Sequence, residues 1–495
     1  STSSGGSTSS GGSTSSGGST SSGGSTSSSG SSSSGGSSSS GGSGGDPSAC
    51  VAPSYPNYRA DQGDIYVTTS GNDSNSGSQQ SPVRSLKAAL SRADAGDLIL
   101  VRGGVYRGQT VISRGGRPGL PITIAAYPGE RPVFDGAGTQ LSSGVGLIQV
   151  NASDIVLDGI EVRNSMGRGV SVYDSDRVTL RRSYVHDIDR QGFAMSGNDI
   201  TVEDNTFRNL VLFNKGGTAF RGGGWPGGIS SWVRPGGRQV NRFTVRNNNI
   251  SRVWGECVIS MHSTESEISG NKVQDCFSIG IYVDNSRNAV VERNEVSVTS
   301  NEFNRPDHNR RMHGIGISIE FYNGIGATRL EDTVIKNNLV TGTENGINFW
   351  SDPANKSVEN SYRDLTIAHN VICDVKKAPI FFPRPLGAGT SGNVLANNVL
   401  CKGAAQPVTR LEIEQDSAWR ITNNAYPDGT GDKTGSSAVT GSPGFESGSG
   451  NALQSYRLRA DSRLRGAGTS INNVNNDAFC SPRQSGRPSI GLHEG

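Results

Sequence analysis

Gly280-Ile281-Tyr282-Val283-Asp284, Gly316-Ile317-Ser318-Ile319-Glu320 and Gly346-Ile347-Asn348-Phe349-Trp350 are three copies of one five-residue pattern. Their second and fourth positions are apolar while the third and fifth vary freely. That is the two-residue period of a strand with one dry face and one wet face. Related copies run from about residue 169 to residue 382, spaced roughly 22 to 45 residues apart with no helical stretch between them. Such spacing predicts the coils of a parallel β-helix, an all-β solenoid whose strands stack at about 4.8 Å.

Aligning the copies predicts inward pairs Val170/Val172, Phe193/Met195, Ile259/Met261, Ile281/Val283, Ile317/Ile319 and Ile347/Phe349. The fifth position faces outward and reads Tyr173, Ser196, Trp232, His262, Asp284, Glu320, Trp350 and Phe382 down the stack. A second register keeps step with it. Asn205, Asn248, Asn271, Asn294, Asn338, Asn370 and Asn398 each precede an apolar pair. Asparagine tolerates left-handed backbone geometry and its amide can bond to the coils on either side, so an asparagine ladder is expected at one corner.

Residues 1–45 are almost wholly Ser, Thr and Gly, a composition that cannot form a core and suits a flexible linker. Residues 46–495 are expected to form one β-helix domain, because a solenoid grows along one axis without splitting. The net charge of +2 supports neither nucleic acid nor an anionic membrane as partner. No apolar run is long enough to span a bilayer. A monomer is expected. The six cysteines fall into pairs. Cys373 and Cys401 share a position on consecutive coils, which predicts a disulfide; Cys257 with Cys276 and Cys50 with Cys480 are the remaining pairings. An even cysteine count and a Ser/Gly linker point to a secreted, extracellular protein. The linker also implies an upstream module, expected to bind carbohydrate.

The body opens with Asp64-Ile-Tyr-Val-Thr-Thr-Ser-Gly-Asn-Asp73, then Ser81-Pro-Val-Arg-Ser-Leu-Lys-Ala-Ala-Leu90, Gly96-Asp-Leu-Ile-Leu-Val-Arg-Gly-Gly-Val-Tyr106 and Pro121-Ile-Thr-Ile-Ala-Ala-Tyr-Pro-Gly129. This opening resembles the first coils of secreted right-handed parallel β-helix carbohydrate-active proteins, which include pectate lyases, alginate lyases, epimerases and glycoside hydrolases. The resemblance implies a short helix near residues 83–93 capping the open end. It is specific for fold and weak for reaction.

Insertions at 207–227 and 299–313 precede the outward column, and others at 321–329, 351–363 and 383–391 follow it, all on the middle coils. Loops on both margins of one strand face would wall a cleft with the column as its floor. Trp350 and Trp232 flank the acids and suit sugar rings, whose C–H faces stack on aromatics. Tyr282, Tyr322, Trp225, Asp352 and Arg384 are assigned as further substrate contacts. Asp284 and Glu320, stacked on consecutive coils, are expected about 5 Å apart, close to the spacing of retaining glycosidases. Their pattern is similar to that of the β-helical glycoside hydrolase family containing bacterial β-xylosidases. By that resemblance Asp284 is the nucleophile and Glu320 the acid/base; His262, one coil before Asp284 in the column, is expected to hydrogen-bond that carboxylate and a substrate hydroxyl. The long 299–313 loop departs from that family.

The same residues suit a polysaccharide lyase in which Asp284, Glu320 and Asp352 hold Ca²⁺ and Arg234, Arg384 or Lys215 is the base. An epimerase built on Tyr282, Asp284 and His262, and a non-catalytic glycan-binding solenoid, are further alternatives. Hydrolysis of a plant or algal polysaccharide or oligosaccharide by two carboxylates, with no cofactor required beyond a structural or catalytic Ca²⁺, is the main expectation.

Overall fold

In the computed structural model, the three pattern copies are the strands Ile279–Asp284, His313–Ile319 and Ile347–Ser351, paired side by side in parallel. The structure describes residues 50–495 except 218, 220–225, 234–236, 307–308, 323–324, 326–329, 352–360, 384–388 and 415. Among the described residues, the coils build three long parallel sheets of 14, 13 and 11 strands. The capping helix forms, shorter than expected, as Leu86–Leu90. Ser85 is its N-cap and accepts from the Ala88 N–H, and Leu86, Ala89 and Leu90 close the core.

The pattern strands lie in the 11-stranded sheet. Val283, Ile317 and Phe349 stack in one register row inside it, each at most 2 % exposed. The glycine that opens the first and third copies, Gly280 and Gly346, has a steric cause. It sits where the chain turns into the strand, and a Cβ on Gly280 would lie 2.6 Å from Val296 Cγ1.

The asparagine ladder is continuous. Each side-chain oxygen from Asn248 to Asn424 accepts from the backbone N–H and the Nδ2 of the asparagine one coil earlier. The ladder thus extends one coil beyond the expected Asn398. The left-handed residue is not the asparagine itself but its predecessor, as at Arg293 (φ 54°) before Asn294 and Asn337 (φ 58°) before Asn338. The asparagines are buried, so their value lies in satisfying backbone groups of two neighbouring coils. Asn294→Ala removes the acceptor of the Asn271 N–H and of one Asn271 Nδ2 hydrogen and the side-chain donor to the Ile268 carbonyl, while the backbone N–H at 294 still bonds to Asn338 Oδ1. It is expected to cost roughly 2–4 kcal/mol of unfolding free energy, at about 1–3 kcal/mol per buried group left unpaired. Chemical denaturation measures this.

All three disulfides are present, with Cα–Cα separations of 4.8 Å for Cys373–Cys401, 5.7 Å for Cys257–Cys276 and 5.5 Å for Cys50–Cys480. Cys50 begins a strap along the outside of the solenoid. Arg293 Nη1 donates to Cys50 Sγ, Tyr55 OH to Asp204, and Tyr58 OH to Asp158.

The register differs from expectation on two strands. Val258, not Ile259, stacks on Ile281, so Ile259 and Met261 face outward, and Met261 is level with Asp284. Ile315/Ile317, not Ile317/Ile319, stack on Ile281/Val283, so Ser318 is level with Asp284. Phe382 belongs to the core, stacked on Phe349 at 5.8 Å, rather than to the outer column.

Candidate active site

The outer face of the 11-stranded sheet carries the site on strands Glu256–Met261, Ile279–Asp284 and His313–Ile319. Its end-of-strand column reads Met261, Asp284, Ser318 and Trp350, and Trp232, two residues past Ser230, falls in line with Met261. Glu320 lies two residues past Ser318, beyond the end of its strand. It therefore does not stack on Asp284, yet the backbone brings it back over that residue. Asn285 Nδ2 donates to the Glu320 carbonyl at 2.8 Å and to Asp284 Oδ1 at 3.1 Å.

Asp284 is fully buried and held by three donors: Ser318 Oγ at 2.5 Å, Tyr322 OH at 2.6 Å and Asn285 Nδ2. Tyr322 OH also reaches Glu320 Oε2 at 3.3 Å, and Tyr282 OH donates to Glu320 Oε1. One phenol thus bridges the two acids and places their nearest oxygens within about 6 Å. Tyr282 lies across Gly316 of the next strand, where a Cβ would come 2.8 Å from its Cδ2. Glycine at that position leaves room for the ring.

Burial, and then the Glu320 charge, push the Asp284 carboxyl well above the ordinary carboxylate range, while the Ser318 and Tyr322 bonds pull it back. Burial and the neighbouring carboxylates also raise the Tyr282 and Tyr322 phenols, which stay neutral donors. A third acid joins them. Glu256, at the start of its strand and 5 % exposed, is raised by burial and then by Glu320 and Asp284. Sequence reasoning missed it because it precedes the repeating pattern.

His262 is not in the column. It is level with Asn285, takes a left-handed conformation (φ 47°), places Nε2 3.5 Å from Asn285 Nδ2 and stands edge-on to the ring of Tyr322. Burial lowers its pKa to about 4, which keeps it neutral at physiological pH. Tyr282, Asp284 and His262 are thus brought into one cluster through Asn285 and Tyr322. Trp350 is outward and 43 % exposed. Trp232 stands edge-on to Tyr173 with ring centroids 5.7 Å apart. Lys215 is exposed in the turn Leu212–Gly217. Trp225, Arg234, Asp352 and Arg384 lie outside the described residues.

Among the described residues, no three His, Cys, Asp or Glu side chains converge as a metal-binding group. Donors already engage both oxygens of Asp284 and of Glu320.

Residues 65–243 match a family model described as a Pel9A-like right-handed β-helix region, and residues 228–362 match one described as a right-handed β-helix region. Pectate lyase PEL9 of Emericella nidulans is 36 % identical over 75 residues, 15 % of this chain and 18 % of its own length. The chain spans between 18 % and 29 % of the length of the curated relatives it matches. The solved structure of pectate lyase Pel9A superposes with a TM-score of 0.52 at 16 % identity, covering 87 % of this chain and 96 % of that one. XylC in complex with xylose superposes with a TM-score of 0.51 at 11 % identity, covering 87 % and 98 %. The fold is thus a right-handed parallel β-helix. A lyase and a xylose-binding protein fit it equally well, so the reaction has to be argued from the site.

Proposed function

We propose that the protein is an extracellular carbohydrate-active enzyme that hydrolyses a polysaccharide or oligosaccharide in the groove over Asp284 and Glu320. The observation that supports hydrolysis is the Tyr322 bridge. Acid oxygens at most about 6 Å apart through the phenol suit the closer, retaining arrangement of about 5–5.5 Å between carboxyls better than the inverting one of about 6.5–9.5 Å. Two crowded carboxyls cannot both ionise freely, so the pair keeps a proton. The Ser318 and Tyr322 bonds to Asp284 oppose the burial and the Glu320 charge that raise its carboxyl, and we assign Asp284 as the nucleophile and Glu320 as the acid. In this reading Glu320 protonates the departing glycosidic oxygen while Asp284 forms the glycosyl ester. Glu320 then takes a proton from the water that releases the sugar and regenerates both groups.

Calcium-dependent elimination is the second reading, and the named relatives speak for it more than for hydrolysis, since they are pectate lyases. Kinship with pectate lyases also makes Ca²⁺ plausible. The Pel9A-like match ends at residue 243, however, before Asp284 and Glu320. Elimination would recast Glu256, Asp284 and Glu320 as ligands and draw its base from Lys215 or from Arg234 and Arg384.

Product analysis separates the two. After exhaustive chelation, a panel of neutral and acidic glycans is expected to yield saturated reducing ends with most activity retained. Products absorbing in the ultraviolet, formed only with added calcium, would overturn hydrolysis in favour of elimination. The three disulfides fit an oxidising compartment. The Ser/Thr/Gly segment 1–45 is read as a linker to a carbohydrate-binding module.

A further inference from the structure

Cys50 and Cys480 join segments 430 residues apart, and of the three disulfides theirs is the one in which both cysteines are half-buried. Cys257 and Cys276 are at most 1 % exposed, and Cys373 is buried. The two sulfurs of the long-range bond face different surroundings. Cys480 lines a cavity of about 500 Å³ together with Lys272, Arg293, Arg457, Phe479 and one acid, Glu295. Glu295 accepts from the Leu453 N–H at 2.8 Å. Arg457 donates through Nε to Gln454 Oε1 at 2.7 Å and lies 3.9 Å over the Phe479 ring. Among the described residues, neither Arg457 nor Lys272 pairs with a carboxylate. The cavity beside Cys50, about 410 Å³, has Asp204 as its one charged residue among those described. On the bond itself, Arg293 Nη1 donates to Cys50 Sγ at 3.2 Å. Glu292 pairs with Arg293 at 3.2 Å and with Lys336 at 3.4 Å, so one carboxylate serves two cations.

Thiol–disulfide exchange needs an attacking thiolate, a sulfur it can approach and a thiolate that leaves readily. The cationic cavity draws an anion to Cys480, whereas Asp204 repels it at Cys50. A guanidinium against a nascent thiolate lowers its pKa and makes it the better leaving group, which favours departure of Cys50. The attacked residue is held in place. Asp477 Oδ1 accepts from the N–H groups of Phe479 and Ser481 at 2.8 Å each, and Cys480 between them is left-handed (φ 67°).

We propose that Cys50–Cys480 is an exchange site for a small thiol that carries carboxylates. The thiolate attacks Cys480 Sγ from the cationic cavity. A bond to the incoming sulfur forms as the Cys480–Cys50 bond breaks, and Cys50 leaves with the electron pair as a thiolate against Arg293. A second thiolate then attacks the incoming sulfur of that mixed disulfide and releases Cys480 as a thiolate. Two small thiols are thereby oxidised to one disulfide, and the cystine is reduced to two cysteines. Lys272 belongs to the strand Lys272–Cys276 of the 13-stranded sheet, so the exchange is independent of any reaction over the 11-stranded one. Its effect falls on the strap, which is untied from the C-terminal segment while the Tyr55 and Tyr58 contacts still hold it.

The test is peptide mapping by mass spectrometry on the full chain, treated with glutathione at neutral pH and quenched with iodoacetamide. Cys50–Cys480 is expected to open about tenfold faster than the other two disulfides, or more. The trapped intermediate is expected to carry glutathione on Cys480 and the alkyl group on Cys50. Arg293→Gln is expected to slow opening about 3- to 10-fold, the effect of raising the leaving thiol's pKa by about 1–2. The double variant Lys272→Gln with Arg457→Gln is expected to slow glutathione about threefold more than cysteamine, whose ammonium gains nothing from a cationic cavity. Glutathione on Cys50, equal opening of the three disulfides, or equal slowing of both thiols in the double variant would each overturn the exchange site. So would opening of a folded Arg293→Gln variant at the parent rate. If that variant does not fold, the position of the adduct on the parent still decides.

Discussion

Asp284→Ala is expected to lower turnover by on the order of 10³-fold or more, the scale at which loss of a nucleophile leaves only binding and the remaining groups. Azide is expected to restore part of it with inverted product stereochemistry, because a small anion can enter the space left by the carboxyl and attack the same face. The fold should survive. Truncation strands the Ser318, Tyr322 and Asn285 donors, which is destabilising, but it also removes a buried acid crowded by Glu320 and Glu256. The sign of that second effect follows from linkage. A carboxyl whose pKa is raised on folding contributes stability that is fully present below its unfolded pKa and is lost as pH rises through the folded value. At neutral pH Asp284 is therefore a liability to the fold, and replacing it recovers part of what its donors lose. Unchanged activity in Asp284→Ala would end the assignment of chemistry to this site. Steady-state rates on the best glycan of the panel, with and without azide, measure the effect.

The fold was legible because two independent registers, the apolar pairs and the corner asparagines, keep step along the stack, and few other folds satisfy both. The site was legible only in part, for reasons that can be traced to particular residues. His313-Gly314-Ile315-Gly316-Ile317 contains the pattern twice, two residues apart. The chain uses the first glycine at the corner, where a Cβ would meet Val340 Cγ1 at 2.4 Å, and the second to clear the Tyr282 ring. Reading the second as the opening glycine placed Glu320 on top of Asp284. In Glu256-Cys257-Val258 no glycine marks the corner at all, because Cys257 occupies it and is tied to Cys276. That slipped the register by one, turned His262 into a column residue and hid Glu256. The pairing of the acids survived because the chain after Ile319 folds back over the sheet. That path depends on the Asn285 and Tyr322 contacts and has no periodic signature. Tyr322 was recognised as a site residue, but its place between the two carboxyls could be seen only in three dimensions.

Ile317 and Trp350 test the sheet face on which every site residue depends. Ile317→Ala removes a fully buried side chain stacked between Val283 and Phe349, and is expected to cost about 2–5 kcal/mol of unfolding free energy. It should also lower activity, since its neighbour Ser318 holds Asp284 and depends on that strand for its position. Trp350→Ala removes a ring that is 43 % exposed on the opposite face, level with Ser318. Its expected cost in stability is under about 1 kcal/mol, and its expected cost in glycan affinity is about 1–3 kcal/mol, by analogy with the stacking of bases on aromatic side chains. Denaturant titration and calorimetry on the two variants should therefore give opposite profiles. If Trp350→Ala unfolds the protein while Ile317→Ala is silent, the strand faces are reversed. A one-residue shift sends each side chain to the other side of the sheet, so Asp284 would then point into the core and the groove would hold no acids at all.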